Sequence, residues 1–459
     1  MMDSQVREHT LADFQRIATL LPGAQLPWLT KLRSAALENF AQNGFPTLHD
    51  EEWKYTNVAA IEKHAFLALP DGGKHDASNA ASDGTITALV QELALTKDTG
   101  HLLVFHNGRH ASALSAPGQL PAGVVLGSLA DALKQSPEAL EPYLSKNDRQ
   151  TVFGALNTAF MADGAYLHLP RDTVLEQPVH LLFITTGSGA DADAAAPFSI
   201  HPRNLIVAEA GAQATVIEHY AGPDGVVYFT NVVTQIFTAE NAAIAHYKLQ
   251  QEAAQAFHIA GIHAAQQRNS RLESHSITLG AALARNDITT AFNAPGSEAT
   301  LNGLYLVGGK QHVDNHTRID HLQPGCTSHE YYRGVLDGRA RAVFNGKVIV
   351  HPGAQKTNAH QSNHNLLLSR DAEIDTKPQL EIYADDVQCT HGATIGQIDE
   401  DQLFYLRSRG VEETMARALL VHAFAHDVIE RIQVASLRTR IEQILLTRLP
   451  QGDRIKELS

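Results

Sequence analysis

The sequence predicts a mainly β protein built on a right-handed parallel β-helix core, flanked by an N-terminal helical and mixed region and a C-terminal helical domain. From about Tyr166 to Ile398, short β-branched or alternating runs such as Val232–Ile236 and Val348–Val350 replace helical periodicity. Between them, polar turns with small residues recur every 27 to 30 residues, near Gly211, Asn241, Ser270, Ser297, Cys326 and Gly353. Such a regular alternation of strands and tight turns is typical of a solenoid whose stacked coils share one core.

Helical periodicity marks the regions on either side of this core. Apolar residues at three- and four-residue steps, such as Leu11, Phe14 and Ile17, predict helices over residues 5–70, and similar spacing returns over 128–160. The stripe from Val421 to Ile432 predicts another helix after the core. We therefore expect an N-terminal domain at 1–165, the β-helix at 166–398 and a C-terminal helical domain at 399–459.

Three local features refine this division. His101 to Phe105 is expected to be a short buried strand, and residues 250–257 a local helical exception within the β-helix. Residues 71–85 and 187–197 are predicted to be loops, because they are rich in small and polar residues. Asp399 followed by Gln402 is a plausible capping box for a helix that ends at Gly410.

The composition excludes several classes of protein. A net charge of −14 argues against a nucleic-acid partner or an anionic membrane surface, because nothing would offset the repulsion from phosphate groups. No apolar run reaches the length of a membrane span, and the polar N-terminus does not resemble an export signal. Two cysteines in 459 residues exclude a disulfide framework. These features predict a cytoplasmic protein in a reducing compartment.

Cys389 and His391 are the first candidate metal ligands. They lie two residues apart in a β-type stretch, so their side chains share one face of the strand. Thiolate and imidazole both bind iron, zinc or copper, but two ligands are fewer than a metal site usually needs. The alternative is that Cys389 is a small buried apolar residue and His391 an ordinary polar one.

Other motifs carry weaker signals. On a strand, His360 and His364 would lie about 13 Å apart, too far to share one metal ion. His422 and His426 have the helical spacing of a zinc-binding pair, but Ala423 stands where an H-E-x-x-H motif has glutamate, so a solvated or partner-facing surface is the preferred interpretation. The segment Gly353–Thr357 lacks the glycines and the following helix of a phosphate loop, so we expect no ATP binding by this chain. Cys326, in a turn, is assigned no role.

Several longer strings resemble the SufB/SufD family of the SUF iron–sulfur cluster assembly system, and in particular its SufD subunits. They include the thirty residues Glu381–Gly410 and the segments Glu51–Thr56, Phe257–Ala260, Arg333–Leu336, Ala342–Lys347, Pro352–Thr357 and His360–Leu368. The resemblance covers most of the chain and is weakest over residues 70–150. It implies the same β-helix core.

The resemblance also implies a function. The chain would be a non-catalytic scaffold that pairs with a SufB-like paralogue and, through its C-terminal helices, docks a SufC-like ABC ATPase. Leu403, Phe404, Leu406 and Arg409 are the residues expected at the ATPase interface. An iron–sulfur cluster would bind transiently, only in complex with SufB, at a shared site to which Cys389 and His391 contribute. A homodimer in isolation and a role for flavin are left open.

A different class of function is the alternative. The parallel β-helix also supports enzymes that act on polysaccharides, and fold alone does not decide between the two. Against an enzyme of this kind stand the missing export signal, the lack of an evident acidic or basic cluster along the strands, and the C-terminal helices suited to a partner.

Overall fold

The computed structural model describes residues 2–69, 84–95, 100–146, 151–187 and 197–456. The helices in these ranges are α1 (Met2–Ile17), α2 (Pro27–Asn43), α3 (Ala59–Glu62), α4 (Gly84–Leu93), α5 (Leu129–Gln135), α6 (Pro137–Leu144), α7 (Val152–Phe160), α8 (Glu400–Ser408), α9 (Glu413–Ile429), α10 (Ala435–Arg448) and α11 (Gly452–Lys456). Short 3₁₀ turns occur at Glu51–Trp53 and Ser112–Leu114. The loops expected at 71–85 and 187–197 lie almost wholly outside the described residues.

The strands are β1 (Leu67–Ala68), β2 (His101–His106), β3 (Arg109–His110), β4 (Val125–Ser128), β5 (Ala165–Leu169), β6 (Val179–Ile184), β7 (Phe198–Ile200), β8 (Arg203–Ala208), β9 (Gln213–Ala221), β10 (Tyr228–Thr238), β11 (Ala243–Gln251), β12 (Phe257–Gln266), β13 (Arg271–Thr278), β14 (Leu283–Phe292), β15 (Glu298–Val307), β16 (His312–His321), β17 (Thr327–Leu336), β18 (Arg341–Val350), β19 (Thr357–Leu367), β20 (Glu373–Ile382) and β21 (Val387–Gly396). The expected strand at His101–Phe105 and the helices within 5–70 and 128–160 are confirmed.

A parallel β-solenoid of about seven coils forms the core, as predicted. The even-numbered strands from β8 to β20 make one sheet (sheet A), and the odd-numbered strands from β9 to β21 make a second (sheet B). Each strand pairs in register with the strand two places later, so that Phe257 lies beside Leu283 and Arg341 beside Glu373. One coil therefore advances by 26 to 32 residues, which brackets the spacing of the turns in the sequence.

The local helix expected at residues 250–257 is wrong. Gln250 and Gln251 complete β11, and residues 252–256 form the turn into β12. The buried carboxylate of Glu252 fixes this turn by accepting hydrogen bonds from Thr230 (2.8 Å) and Gln250 (3.0 Å). Pairing with neighbouring coils and this buried hydrogen bonding outweigh the helical preference of the alanine- and glutamine-rich sequence.

The N-terminal helices cover the outer face of sheet A. Ile17, Phe40 and Phe153 pack there against Phe229 and Phe257 of β10 and β12. This region also extends the sheets themselves, because β4 pairs with β5 and β2 pairs with β6. The N-terminal domain and the solenoid are thus continuous in hydrogen bonding.

The segment Glu51–Thr56 fastens the N-terminal region to the solenoid. The guanidinium carbon of Arg285 lies 3.8 Å from the centre of the Trp53 ring, and Thr56 donates a 2.6 Å hydrogen bond to Asp314. Arg285 also donates to the Glu52 carbonyl and to Asp314, both at 2.7 Å. These contacts give a structural reason for a string that the sequence could only match to a family.

The C-terminal helices cover the outer face of sheet B. Val421, Ala425 and Val428 of α9 and Leu437 and Ile441 of α10 are buried there. On the sheet side the same cluster contains Ile217, Tyr247, Leu249, Ile277, Leu304 and Val335. Removing these helices would uncover a large apolar face, so α9 and α10 are an integral part of the fold rather than a detachable module.

Within the described residues, no helix is both long and apolar enough to cross a lipid bilayer.

The clamp at Arg285 and Asp314 predicts a pH-dependent stability centred on His316. Burial alone would lower the pKa of His316, but the charge of Asp314 (3.1 Å) and a hydrogen bond with Glu52 (3.2 Å) raise it to about 9. Protonated His316 therefore stabilises the fold fully below pH about 6.5, and this contribution is lost as the pH rises through about 9. It corresponds to at most about 3 kcal/mol.

We expect His316→Gln to lower the free energy of unfolding most at pH 6, with a difference from wild type that shrinks toward pH 9.5. Denaturant unfolding across this range measures it, and His49→Gln, in an exposed loop, is the control. A deficit for His316→Gln that is the same at every pH would contradict this account.

Candidate functional site at the open end of the solenoid

The two ends of the solenoid differ in how their edge strands are finished. At the N-terminal end the main paths of the two sheets end in β4 and β3, which are short and pair antiparallel to their neighbours. At the C-terminal end the outermost strands are β20 and β21, each ten residues long. Long edge strands present unpaired backbone groups that can pair with another chain. We call the end formed by β20 and β21 the open end.

Cys389 and His391 lie two residues apart on strand β21, as the sequence predicted, and β21 is one of the two strands of the open end. Their register partners on β19 are Ala359 and Gln361, whose side chains are buried inside the solenoid. Cys389 is half-buried and packs against the interior core, while His391 is exposed. Burial raises the pKa of the Cys389 thiol above its ordinary value, so the thiol stays protonated at neutral pH in the chain alone.

A stack of polar side chains leads from the interior to His391. Glu330, Gln361 and His391 occupy the same register position on β17, β19 and β21. The Gln361 amide donates a hydrogen bond to Glu330, and burial raises the pKa of Glu330 to about 7. His391 is thus the exposed last member of a polar stack.

Exposed apolar side chains gather at the same end. Ile382, Tyr383 and Ile395 lie on or next to the two edge strands, and Tyr383 is 60 % exposed. Five of the eleven large exposed apolar residues in the described chain fall within residues 382–405. Clustered exposure of this kind marks an interaction surface.

Helix α8 follows β21 and continues this surface. Its N-cap is confirmed, because the Asp399 carboxylate accepts hydrogen bonds from the backbone of Asp401 (2.9 Å) and Gln402 (3.3 Å). Gly410, with φ of +88°, stands just past its end as expected.

The four residues expected at the ATPase interface do not all face outward. Phe404 is 72 % exposed, Arg409 is exposed with its guanidinium over the Tyr405 ring, and Leu406 is half-buried. Leu403 is only 2 % exposed. Its side chain therefore anchors α8 to the protein and cannot contact a partner in this conformation.

Comparison with known proteins identifies the family. Residues 189–424 match the SufBD core domain of the SUF system for FeS cluster assembly, and residues 5–181 match the SufBD protein N-terminal region. The chain belongs to the SufBD family.

Relatives support this assignment along the whole chain. The iron–sulfur cluster assembly SufBD family protein of Synechocystis is 35 % identical, over 94 % of this chain and 93 % of that protein. The iron–sulfur cluster assembly protein SufD of Escherichia coli is 32 % identical, over 91 % and 92 %, and SufD of Bacillus subtilis is 25 % identical, over 91 % and 93 %. The resemblance seen in the sequence is confirmed.

Some residues of the segments that resemble the SufB/SufD family hold the fold together. Sequence reasoning missed this role. Arg333 on β17 forms a 2.6 Å ion pair with Asp427 of α9, and its guanidinium lies 4.6 Å from the centre of the Phe424 ring. Tyr331 also donates a hydrogen bond to Asp427. Arg333 and Tyr331 therefore fix α9 on sheet B, next to the open end.

The solenoid interior holds an ionisable cluster that the sequence did not reveal. Glu218 accepts hydrogen bonds from Tyr220 and Thr234, each at 2.6 Å, and lies 3.1 Å from His246. Nearby, burial lowers the pKa of Lys248 to about 8. These groups are at most 1 % exposed, so a polysaccharide could not reach them in this structure.

The structure also gives the positions of the weaker candidate motifs, which are two histidine pairs, the segment at Gly353 and Cys326. His360 and His364 bond separately to Thr390 (2.6 Å) and Thr394 (2.8 Å) of the next coil. Gly353 lies in a turn that leads into strand β19 rather than a helix, and Cys326 is buried in the interior core. His422 and His426 were expected on a solvated or partner-facing surface. Both imidazoles instead bond to Glu442 of α10, although the side chain of His426 stays partly exposed.

Proposed function

We infer that this chain is a non-catalytic scaffold subunit of the SUF machinery whose open end pairs with a SufB-like paralogue. The observation that carries this proposal is the pair of ten-residue edge strands, β20 and β21, bordered by exposed apolar side chains. A second solenoid could continue both sheets across such an end by strand addition. The same edge would serve a homodimer in the absence of the paralogue.

The ligand set at the open end supports a shared site. Among the described residues, Cys389 and His391 belong to no group of three or more metal-ligating side chains that converge on one point. An iron–sulfur cluster held at this junction would therefore need further ligands from the paralogue, and it would be the cargo of the complex. The exposed His391 is the more accessible ligand of the two, because the thiol of Cys389 is half-buried.

The ATPase is proposed to dock on α8. Phe404 and Tyr405 form an exposed aromatic pair on a helix whose position is fixed by the buried Leu403. Aromatic side chains on a rigid element often contribute much of the binding free energy of a protein–protein interface. A SufC-like ATPase bound here would lie next to the open end and could transmit its motion to the junction.

An enzyme acting on polysaccharide is the less favoured function. Membership in the SufBD family places the chain in iron–sulfur cluster assembly, and the acidic and basic groups of the solenoid interior are closed to a polymer. No catalytic residue is assigned to this chain.

We expect His391→Ala to leave folding and complex assembly intact and to lower the iron and sulfide content of the anaerobically reconstituted complex by at least about tenfold. The side chain is exposed, so its removal empties little core. Cys389→Ala should have a smaller or comparable effect. The measurement uses the chain coexpressed with its SufB-like and SufC-like partners.

His329→Ala is the matched control for that experiment, because His329 is exposed on the same sheet two coils earlier. Wild-type cluster content in a normally assembled His391→Ala complex would exclude a ligand role for His391.

We expect Phe404→Asp to weaken capture of the SufC-like ATPase about thirtyfold, as for an interfacial aromatic worth about 2 kcal/mol. Binding by the purified chain measures this, with circular dichroism as the check on folding. Leu20→Asp, at an exposed apolar position in the N-terminal region, is the control. Equal affinity of the Phe404→Asp and wild-type chains would place the ATPase elsewhere.

A further inference from the structure

The two C-terminal helices bring three metal-ligating side chains to one point, away from the edge strands. His422 and His426 lie one turn apart on α9, so their rings share one face of the helix. His422 Nε2 lies 3.0 Å and His426 Nδ1 2.8 Å from the same oxygen of Glu442, Oε1, on α10. All three ligand atoms lie within 4.8 Å of one another, and among the described residues this is the group of three or more that could hold an ion.

The state of the Glu442 carboxylate points to a ligand. Its second oxygen, Oε2, is buried and has no hydrogen-bond partner among the described residues. A buried carboxylate oxygen without a donor is costly, and the positive charge of a cation bound to the same carboxylate would offset that cost. The two imidazole rings are nearly parallel, with centroids 5.5 Å apart and 20° between planes, so both present an edge to the same carboxylate.

We propose that His422, His426 and Glu442 form a binding site for a divalent transition-metal ion of the zinc type, which ties α9 to α10. Two imidazoles and one carboxylate are a ligand set found in zinc sites with an open fourth position, and they favour such ions over Mg²⁺ or Ca²⁺.

Two of the three separations between the ligand atoms are already close to those of a zinc site. With bonds of about 2.0 to 2.2 Å, the ligand atoms of a tetrahedral zinc site lie roughly 3.3 Å apart. The two nitrogen–oxygen separations are slightly shorter than this, because they are hydrogen bonds. The side chain of His426 is 43 % exposed, so an ion has a path from solvent.

Both histidine rings can bind the metal with every proton accounted for. Each ring nitrogen that faces Glu442 must offer a lone pair to the metal. A neutral ring achieves this by carrying its proton on the other ring nitrogen, and a protonated ring releases one proton to solvent. Glu442 binds as the carboxylate, the form in which this side chain ligates metals.

The site is separate from the proposed cluster site and independent of the proposed scaffold function. Its ligands lie on helices that cover the outer face of sheet B, and none is on β20 or β21. Failure of the metal proposal would leave the predictions for His391 and Phe404 unchanged.

Zinc titration of the tag-free, EDTA-treated full chain tests the proposal, with Co²⁺ as a spectroscopic probe and Mg²⁺ as the negative control. We expect the wild type to bind one equivalent of Zn²⁺, to gain thermal stability with it, and to show the visible bands of four- or five-coordinate cobalt. His422→Ala/His426→Ala should lose this binding by at least about tenfold.

Glu442→Gln separates metal binding from simple hydrogen bonding. The glutamine oxygen can still accept from both histidines, so stability in EDTA should stay close to wild type while zinc affinity falls. His360→Ala/His364→Ala, a histidine pair on β19 too far apart to chelate, should bind zinc as wild type does. The proposal is overturned if the wild type binds no Zn²⁺, which makes the trio a hydrogen-bonded link only, or if Glu442→Gln binds it undiminished.

Discussion

In-register stacking of coils is the constraint on which the rest of this structure depends. Each strand takes its backbone hydrogen bonds from the strands one coil before and one coil after it. A single coil cannot bury its apolar face, so the interior is continuous only because neighbours cover one another. The last coil necessarily lacks one neighbour, and its edge strands are the place where the fold is incomplete.

The two ends of the solenoid and the outer faces of its sheets are covered to different extents. At the N-terminal end short antiparallel strands blunt the sheets, and the N-terminal helices cover sheet A. The C-terminal helices cover sheet B and are held there by Arg333. At the open end β20 and β21 keep long edges beside exposed Ile382, Tyr383 and Ile395. Pro378 has no backbone N–H and so leaves a gap in the row of hydrogen-bond donors along β20. Strand β21 is therefore the more regular edge for pairing.

Much of the fold could be predicted from the sequence, because solenoid turns repeat and each coil depends mainly on its neighbours. The β-branched runs and the regular spacing of turns such as those near Gly211, Asn241 and Ser270 together predicted stacked strands. The prediction for residues 250–257 was wrong because the buried Glu252 carboxylate accepts a hydrogen bond from Thr230, which only the stacking of coils brings near.

Only those features of the candidate site that depend on residues close in the sequence could be predicted. Cys389 and His391 are two residues apart, so their shared face follows from strand geometry alone. The burial of Leu403 and the meeting of His422 and His426 with Glu442 depend on how separate helices pack, which no spacing in the sequence encodes. The role of Arg333 likewise depends on the packing of α9 against sheet B.

Hydrogen exchange at the backbone of β20 and β21 tests the central claim most directly. In the isolated chain at concentrations where it is monomeric, amides that point out of the open end should exchange rapidly, while those of β12 and β14 are protected. On assembly with the SufB-like paralogue, the account predicts new protection confined to residues 373–396. Unchanged exchange over these residues in a fully assembled complex would show that the partner binds elsewhere.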